Sequence, residues 1–300
     1  MIFYRLAIFL LAKFLFKCKF NMVMYLFINN AFYKLGKARI SVFDHGLLYG
    51  DGVFETLRTY NGRVFMIDKH INRLFNSGKA LNIIIPINKP KLKEAIYSTI
   101  EKNLLKEAYI RVTITRGVGD IGYTSMCKPN LIIIVKKLIP SKKEIYQEGV
   151  SVITYNTERF MPKVKSTNCL PLVLAKKESA RQSCFEAILV DRHGNVTEGT
   201  VSNVFFIKKD RLYTPYGNLL EGITRGVVVE RAKKFMKVSE TIIKKSSIYT
   251  FGECFLTSTT SEIVPVVRID GKKINNGMPG RITKRIISDF KRLSFPIPNL

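Results

Sequence analysis

Val196-Thr197-Glu198-Gly199-Thr200-Val201-Ser202-Asn203, with Lys165 upstream and Gly222-Ile223-Thr224-Arg225 downstream, is the stretch on which the reading of this 300-residue chain turns. The three segments supply an acid, an amine and an anion cradle. A carboxylate such as Glu198 can keep a basic ring nitrogen protonated through a charge-assisted hydrogen bond. An ordinary lysine has a pKa of about 10.4, so Lys165 becomes a nucleophile and a base only if burial or neighbouring cations depress it. Ile223 and Thr224, following Gly222, offer free backbone N–H groups at a helix start, where an anion is favoured. Lys163 would point the opposite way on a strand and serves as the internal control for Lys165.

Outward from this stretch, short strands dominate. Tyr25–Ile28, the turn Asn29-Asn30 and a strand around Arg39–Val42 read as a hairpin. Phe43–Gly46 and Tyr49–Gly52 read as glycine-punctuated loops. Phe54–Tyr60 alternates as a strand, turns at Asn61-Gly62 and returns through Arg63–Met66. Asp68 is positioned to cap a helix through His70 to about Ala80, and a second helix covers Lys89–Lys102. Strands follow at Tyr109–Thr115 and Leu131–Lys136. Later come strands at Val150–Tyr155, Ala187–Val190, Val204–Ile207 and Cys254–Thr257, and helices over Leu170–Gln182, Thr224–Met236 and Arg281–Lys291. Many short strands with few helices between them suit a mixed sheet better than a doubly wound parallel one. The expected organisation is an extension over 1–23, a small α+β domain over 24–139, a linker over 140–147 marked by Pro140 and Ser141, and a larger domain over 148–300.

Composition is that of a globular protein: 46% hydrophobic, 24% charged and 11 Pro. The formal charge is +26, from 49 basic and 23 acidic residues. The basic residues lie in short groups along the whole chain, with no basic arm or aromatic-basic signature, so no nucleic-acid partner is expected. Five scattered cysteines without a C-x-x-C pair point to reduced thiols and a cytoplasmic setting. His45, His70 and His193 are too far apart to suggest a metal site. The apolar run Leu6–Ala12 is far below the ~20 residues that span a bilayer, and no small-residue cleavage site follows. No firm membrane association is expected.

At Lys165-Ser166-Thr167-Asn168, at Thr197-Glu198-Gly199-Thr200 with Ser202-Asn203, at Gly222-Ile223-Thr224 and at Thr257-Ser258-Thr259-Thr260-Ser261-Glu262, the chain resembles the class IV (fold type IV) aminotransferases. That family includes branched-chain and D-amino acid aminotransferases and aminodeoxychorismate lyase. The resemblance implies a two-domain α+β fold of type IV, with a small domain and a larger barrel-like one. It implies pyridoxal 5'-phosphate as cofactor, joined covalently by Lys165, with Glu198 at the ring nitrogen. It places Arg73, Ile223, Thr224, Thr259 and Thr260 around the phosphate, and Phe54, Thr56, Arg58, Tyr109, Arg111 and Thr260 around the substrate. Small amino acids and 2-oxo acids are the implied partners, and a homodimer the implied assembly.

Within the family, Tyr109-Ile110-Arg111 matches branched-chain enzymes. Two positions depart from them: Thr56 replaces their usual glycine, and Cys169 a tyrosine that bonds the cofactor's phenolic oxygen. Phe54-Glu55-Thr56 and the loop Arg116–Tyr123 look closer to the lyase. Branched-chain L-amino acid transamination ranks first, the lyase second and D-amino acids third.

Overall fold

The computed structural model describes residues 24–294, so the expectations for residues 1–23 lie outside it. The first sheet contains β1 (Tyr25–Ile28), β2 (Ala31–Lys34), β3 (Gly52–Tyr60), β4 (Arg63–Val64), β5 (Ala108–Val118) and β6 (Lys128–Lys137), ordered β2-β1-β6-β5-β3-β4. All neighbours are antiparallel. With it come three helices: α1 (His45–Leu48), α2 (Ile67–Ala80) and α3 (Lys89–Lys102). Ile67, Ile71 and Leu74 on α2, and Leu92, Ile96 and Ile100 on α3, recur at helical spacing and form one apolar stripe per helix. Both stripes close over Val53, Leu57, Ile110, Val112 and Ile133. Strand alternation turns Val53, Glu55 and Leu57 toward the helices and leaves Phe54 and Thr56 on the opposite face.

A short helix, α4 (Glu144–Gln147), leads into the second sheet. That sheet contains β7 (Val150–Asn156), β8 (Glu186–Val190), β9 (Asn195–Gly199), β10 (Asn203–Lys208), β11 (Arg211–Pro215), β12 (Lys237–Thr241), β13 (Ile243–Lys244), β14 (Glu253–Ser258), β15 (Glu262–Ile269) and β16 (Lys272–Lys273). It is mixed. β7 runs parallel to β8 and β15, and β11 parallel to β12, while the other pairs are antiparallel. Helix α5 (Leu170–Arg181) seats Leu172 and Ala175 on Ile153, Ala187 and Leu189. Helices α6 (Ile223–Ala232) and α7 (Arg281–Ser294) share a core with Phe205, Leu212 and Phe255. The α+β class and the mixed sheet are as the sequence indicates.

Several local expectations are corrected. The partner of β1 is Ala31–Lys34, not Arg39–Val42: Asn29 takes φ 55° and closes a two-residue hairpin, pairing Ile28 with Ala31. The loop read at Phe43–Gly46 ends in a helix start, for His45 and Gly46 open α1, and the Asp44 carboxylate accepts from the Gly46 N–H at 2.7 Å and caps it. Asp68 does not cap α2. Met66 precedes the helix in the left-handed region, and Asp68, in the first turn, pairs with Lys93. The segment expected as linker carries α4, and α6 ends at Ala232 rather than Met236. Four of the five cysteines lie among the described residues and are free thiols. No helix among these residues is long and apolar enough to cross a membrane.

Candidate active site

Where the two sheets meet, a cavity of about 490 Å3 is lined by Phe54, Thr56, Tyr109 and Arg111 from the first sheet and by Lys165, Glu198, Ile223, Thr224, Thr259 and Thr260 from the second region. Lys165 is fixed by its backbone. Its carbonyl accepts from the Phe54 N–H at 2.9 Å, its N–H donates to Ser77 Oγ at 3.3 Å, and the Thr167 N–H donates to the Gly52 carbonyl at 2.8 Å. The lysine segment is thus laid along the start of β3. Burial lowers the Lys165 amine to about 8, helped by Arg73 and Arg159 and opposed by Glu55 and Glu198. About a tenth of such an amine is neutral at pH 7, several hundred times the fraction of an ordinary lysine. Lys163 lies in a turn, not on the expected strand, and is exposed.

Glu198 stands on β9 and is 5% exposed. Burial pushes its carboxyl up to about 7, against the pull of Arg159 and the Leu220 N–H. Arg159 Nε stands 3.3 Å from one carboxylate oxygen, and the Leu220 N–H donates to the other at 3.3 Å. Asn203 holds the same wall, donating from Nδ2 to the Leu220 carbonyl at 2.8 Å.

The residues expected at the anion come from both regions. Gly222 precedes α6, and no side chain caps that helix. A Cβ at position 222 would strike Asn203 Oδ1, so only glycine lets the helix start approach this wall. Arg73 also lines the cavity, held from behind: Nε and Nη2 donate to the two Glu55 oxygens at 2.6 and 2.8 Å, and Nη1 donates to the Glu221 carbonyl at 2.9 Å. Glu55 in turn bonds His70 Nδ1 at 2.7 Å. The arginine and histidine hold the Glu55 carboxyl down at about 2 although burial opposes them, and burial keeps His70 low. His70, Arg73 and Ser77 sit at i, i+3 and i+7 on α2, so one helix face serves the whole assembly.

Among the expected substrate residues, Phe54, Thr56, Tyr109, Arg111 and Thr260 line the cavity. Thr56 and Arg111 are directly paired across β3 and β5. The Arg111 guanidinium stacks 3.8 Å over the Phe54 ring. Arg58 does not line the cavity. It donates to Glu262 at 2.8 Å and to the Thr260 carbonyl at 3.2 Å, which draws its head away from the cavity and onto the segment behind it. Cys169, at the tyrosine position, lines the cavity and bonds only locally, its Sγ 3.5 Å from the Ser166 carbonyl. Two contributors went unmarked in the sequence. Glu55 lay hidden in the Phe54-Glu55-Thr56 run, where alternation would have pointed it at α2; Arg159 follows an irregular segment and carries no periodic signal.

The donor set fits pyridoxal phosphate, the cofactor of class IV aminotransferases. A lowered amine, a buried acid, a guanidinium and an uncapped helix start face one space. Residues 52–269, more than two thirds of the chain, match the model of the family described as amino-transferase class IV. A protein of Methanocaldococcus jannaschii, provisionally named a branched-chain-amino-acid aminotransferase, is 43% identical over 278 residues, covering 89% of this chain and 96% of its own. A D-alanine aminotransferase of Bacillus licheniformis is 34% identical over 264 residues, 86% of this chain and 93% of its own. A branched-chain amino acid aminotransferase from T.th., solved with pyridoxamine 5'-phosphate, superposes with a TM-score of 0.86 at 29% identity, over 91% of this chain and 94% of that one. Cavity, donors and kinship agree: this chain belongs to the class IV aminotransferases.

Proposed function

We propose that the protein moves an amino group between a branched-chain L-amino acid and a 2-oxo acid, with pyridoxal 5'-phosphate in the cavity and Lys165 as the catalytic residue. The observation that carries the branched-chain reading is an apolar wall, Phe54, Tyr109, Leu172 and Val173, shared with Arg111. Arg111 has no acidic partner within ion-pair distance among the described residues, so its charge is available to a substrate carboxylate. An aliphatic side chain gains from the wall, while the carboxylate gains from the cation.

When bound, the cofactor supplies an aldehyde that captures amines and a ring that accepts the electrons of a carbanion. The rest is done by this chain. Neutral Lys165 would supply the covalent anchor, and its Nζ would serve as the base that carries the proton of the substrate Cα. Glu198, as a buried carboxylate, would hold a proton at the ring nitrogen through a charge-assisted hydrogen bond. Arg73 and the N–H groups of Ile223 and Thr224 take the phosphate, with the Thr224 and Thr259 hydroxyls completing the cup. Thr260, which lines the same cavity, would meet the substrate carboxylate beside this cup.

Thr56 favours a second reading, aminodeoxychorismate lyase, because it puts a hydroxyl in the cavity where branched-chain enzymes keep glycine. The apolar residues exposed on and around α1, among them Val42 (68%) and Leu47 (68%), support pairing of two copies. The free described cysteines agree with a cytoplasmic setting. The test is a half-reaction panel following the cofactor's spectrum with L-Leu, L-Ile, L-Val, D-Ala and aminodeoxychorismate. The L-amino acids are expected to react fastest. A faster reaction with D-Ala or aminodeoxychorismate overturns the reading.

A further inference from the structure

Glu186 opens β8 beside the cavity and is 1% exposed. None of the chemical roles above uses it. One of its oxygens, Oε1, accepts three hydrogen bonds: from Thr200 Oγ1 at 3.1 Å, from the Val201 N–H at 2.8 Å and from Ser202 Oγ at 3.0 Å. All three donors belong to residues that line the cavity. They follow Glu198 and Gly199 and connect β9 to β10. Two backbone bonds close the same turn, Gly199 N–H to the Ser202 carbonyl at 2.7 Å and Thr200 N–H to the Ala187 carbonyl at 3.2 Å. Position 199 is shaped by the carboxyl: a Cβ there would lie 2.5 Å from Glu186 Oε1 and would also strike Ser202 Oγ. Glycine at 199 and glutamate at 186 are one device.

We propose that Glu186 is a positioning residue of the reaction: it holds the Thr200–Ser202 turn, and through it Glu198, against the cavity. The proposal rests on the transamination reading. The charged groups facing Glu186 are Lys176 of α5 and Glu198 of β9. Lys176 is itself held, its Nζ donating to the Phe185 carbonyl. Burial pushes the Glu186 carboxyl up, and the Val201 N–H, Lys176 and the two hydroxyls pull the other way. Either protonation state leaves Oε1 an acceptor, and so does the amide oxygen of glutamine. Geometry, not charge, is therefore what the residue supplies.

The test compares Glu186→Gln with Glu186→Ala by three measurements on the full chain. The first is amide hydrogen exchange at Val201 in the apoprotein. The second is the dissociation constant of pyridoxal 5'-phosphate by fluorescence titration. The third is kcat and KM with the best substrate of the half-reaction panel. Glu186→Ala is expected to speed Val201 exchange at least about tenfold and to lower kcat at least about tenfold with little change in KM, since a displacement of about 1 Å costs up to ~100-fold. Cofactor binding should weaken several-fold, and Glu186→Gln should stay within about threefold of wild type on all counts. Exchange and cofactor titration need no substrate, so they judge the proposal even if the panel overturns the transamination reading. Unchanged exchange and kcat in a folded Glu186→Ala protein overturn the proposal, as does a Glu186→Gln protein as impaired as Glu186→Ala. If Glu186→Ala does not fold, Thr200→Val and Ser202→Ala each remove one donor and leave the carboxyl in place. Wild-type exchange and kcat in both would equally overturn it.

Discussion

Glu55 and Glu198 are both buried, 1% and 5% exposed, and both act on the charge of Lys165, yet their carboxyls diverge to about 2 and about 7. Burial raises both. The difference is in the donors. Glu55 receives two short bonds from Arg73 and one from His70, all on the α2 side. Glu198 has one N–H at 3.3 Å and a guanidinium nitrogen at 3.3 Å. A carboxylate saturated with donors stays charged and works as an anchor for a cation. One left under-satisfied in a dry wall is pushed up toward neutrality, and it holds its charge there only when a cation stands against it.

Lys165 feels the charge of both acids, and its removal has the largest expected effect. Lys165→Ala should lower turnover by about 10^3-fold or more, since both nucleophile and proton carrier are lost. The fold should persist, because the segment's bonds to Phe54 and Ser77 are made by backbone atoms. Borohydride reduction followed by peptide mapping checks the same point: the cofactor should be fixed to the peptide carrying Lys165 and to no other lysine, Lys163 included.

Next comes Glu198. Glu198→Gln should lower kcat by about 100-fold while leaving the phosphate cup intact. Its stability effect has a distinctive sign. Glu198 binds its proton more tightly folded than unfolded, so it withdraws stability as pH rises from about 4.5 to about 7. In the apoprotein, Glu198→Gln should therefore melt near wild type at pH 5 and above it at pH 8, by up to about 3 kcal/mol. Lower stability than wild type at pH 8 would break the contrast between the two acids.

Glu55 should show the opposite slope. Its folded pKa lies below its unfolded one, so its contribution is fully present above about 4.5 and is lost as pH falls toward about 2. That difference corresponds to about 3 kcal/mol. Glu55→Gln should lower stability by a comparable amount at pH 7, lose the acid-limb dependence expected of wild type, and weaken cofactor retention because Arg73 loses its bidentate hold. Thermal melts from pH 3 to 8, with a cofactor titration at pH 7, measure all three.

The halves of this comparison were unequally legible in the sequence. Lys165, Glu198 and Gly222-Ile223-Thr224 stand in local runs, so the amine, the acid and the helix start could be read directly. Glu55, Arg159 and Glu186 act through partners 18, 39 and 14 to 16 positions away, separations that no local pattern encodes. The first hairpin is hidden because Asn29, at φ 55°, turns the chain in two residues onto Ala31–Lys34, a run that does not alternate as a strand should. The capping role of Asp44 was missed because a four-residue helix has too little periodicity to announce itself. Arg73 stands out by motif, but only the structure shows that it is held from behind.

Arg58 sharpens the contrast from outside the cavity, and with the smallest effect. It was expected at the substrate and instead pairs with Glu262 and the Thr260 carbonyl, with its guanidinium 4.0 Å from the centre of the Tyr60 ring. A lysine there keeps the charge but loses the planar fork and the stacking. Arg58→Lys should cost about 1 kcal/mol of stability, since one charged hydrogen bond is weakened rather than left unpaired. If Arg58 only braces the Thr260 segment, kcat should change by no more than about threefold while KM rises modestly, because a cation that contacts no reacting atom affects the substrate through position alone. A large fall in kcat with unchanged melting temperature would return Arg58 to the substrate's side of the wall. It would also mean that the first sheet offers the cavity two substrate cations, Arg58 and Arg111, rather than one.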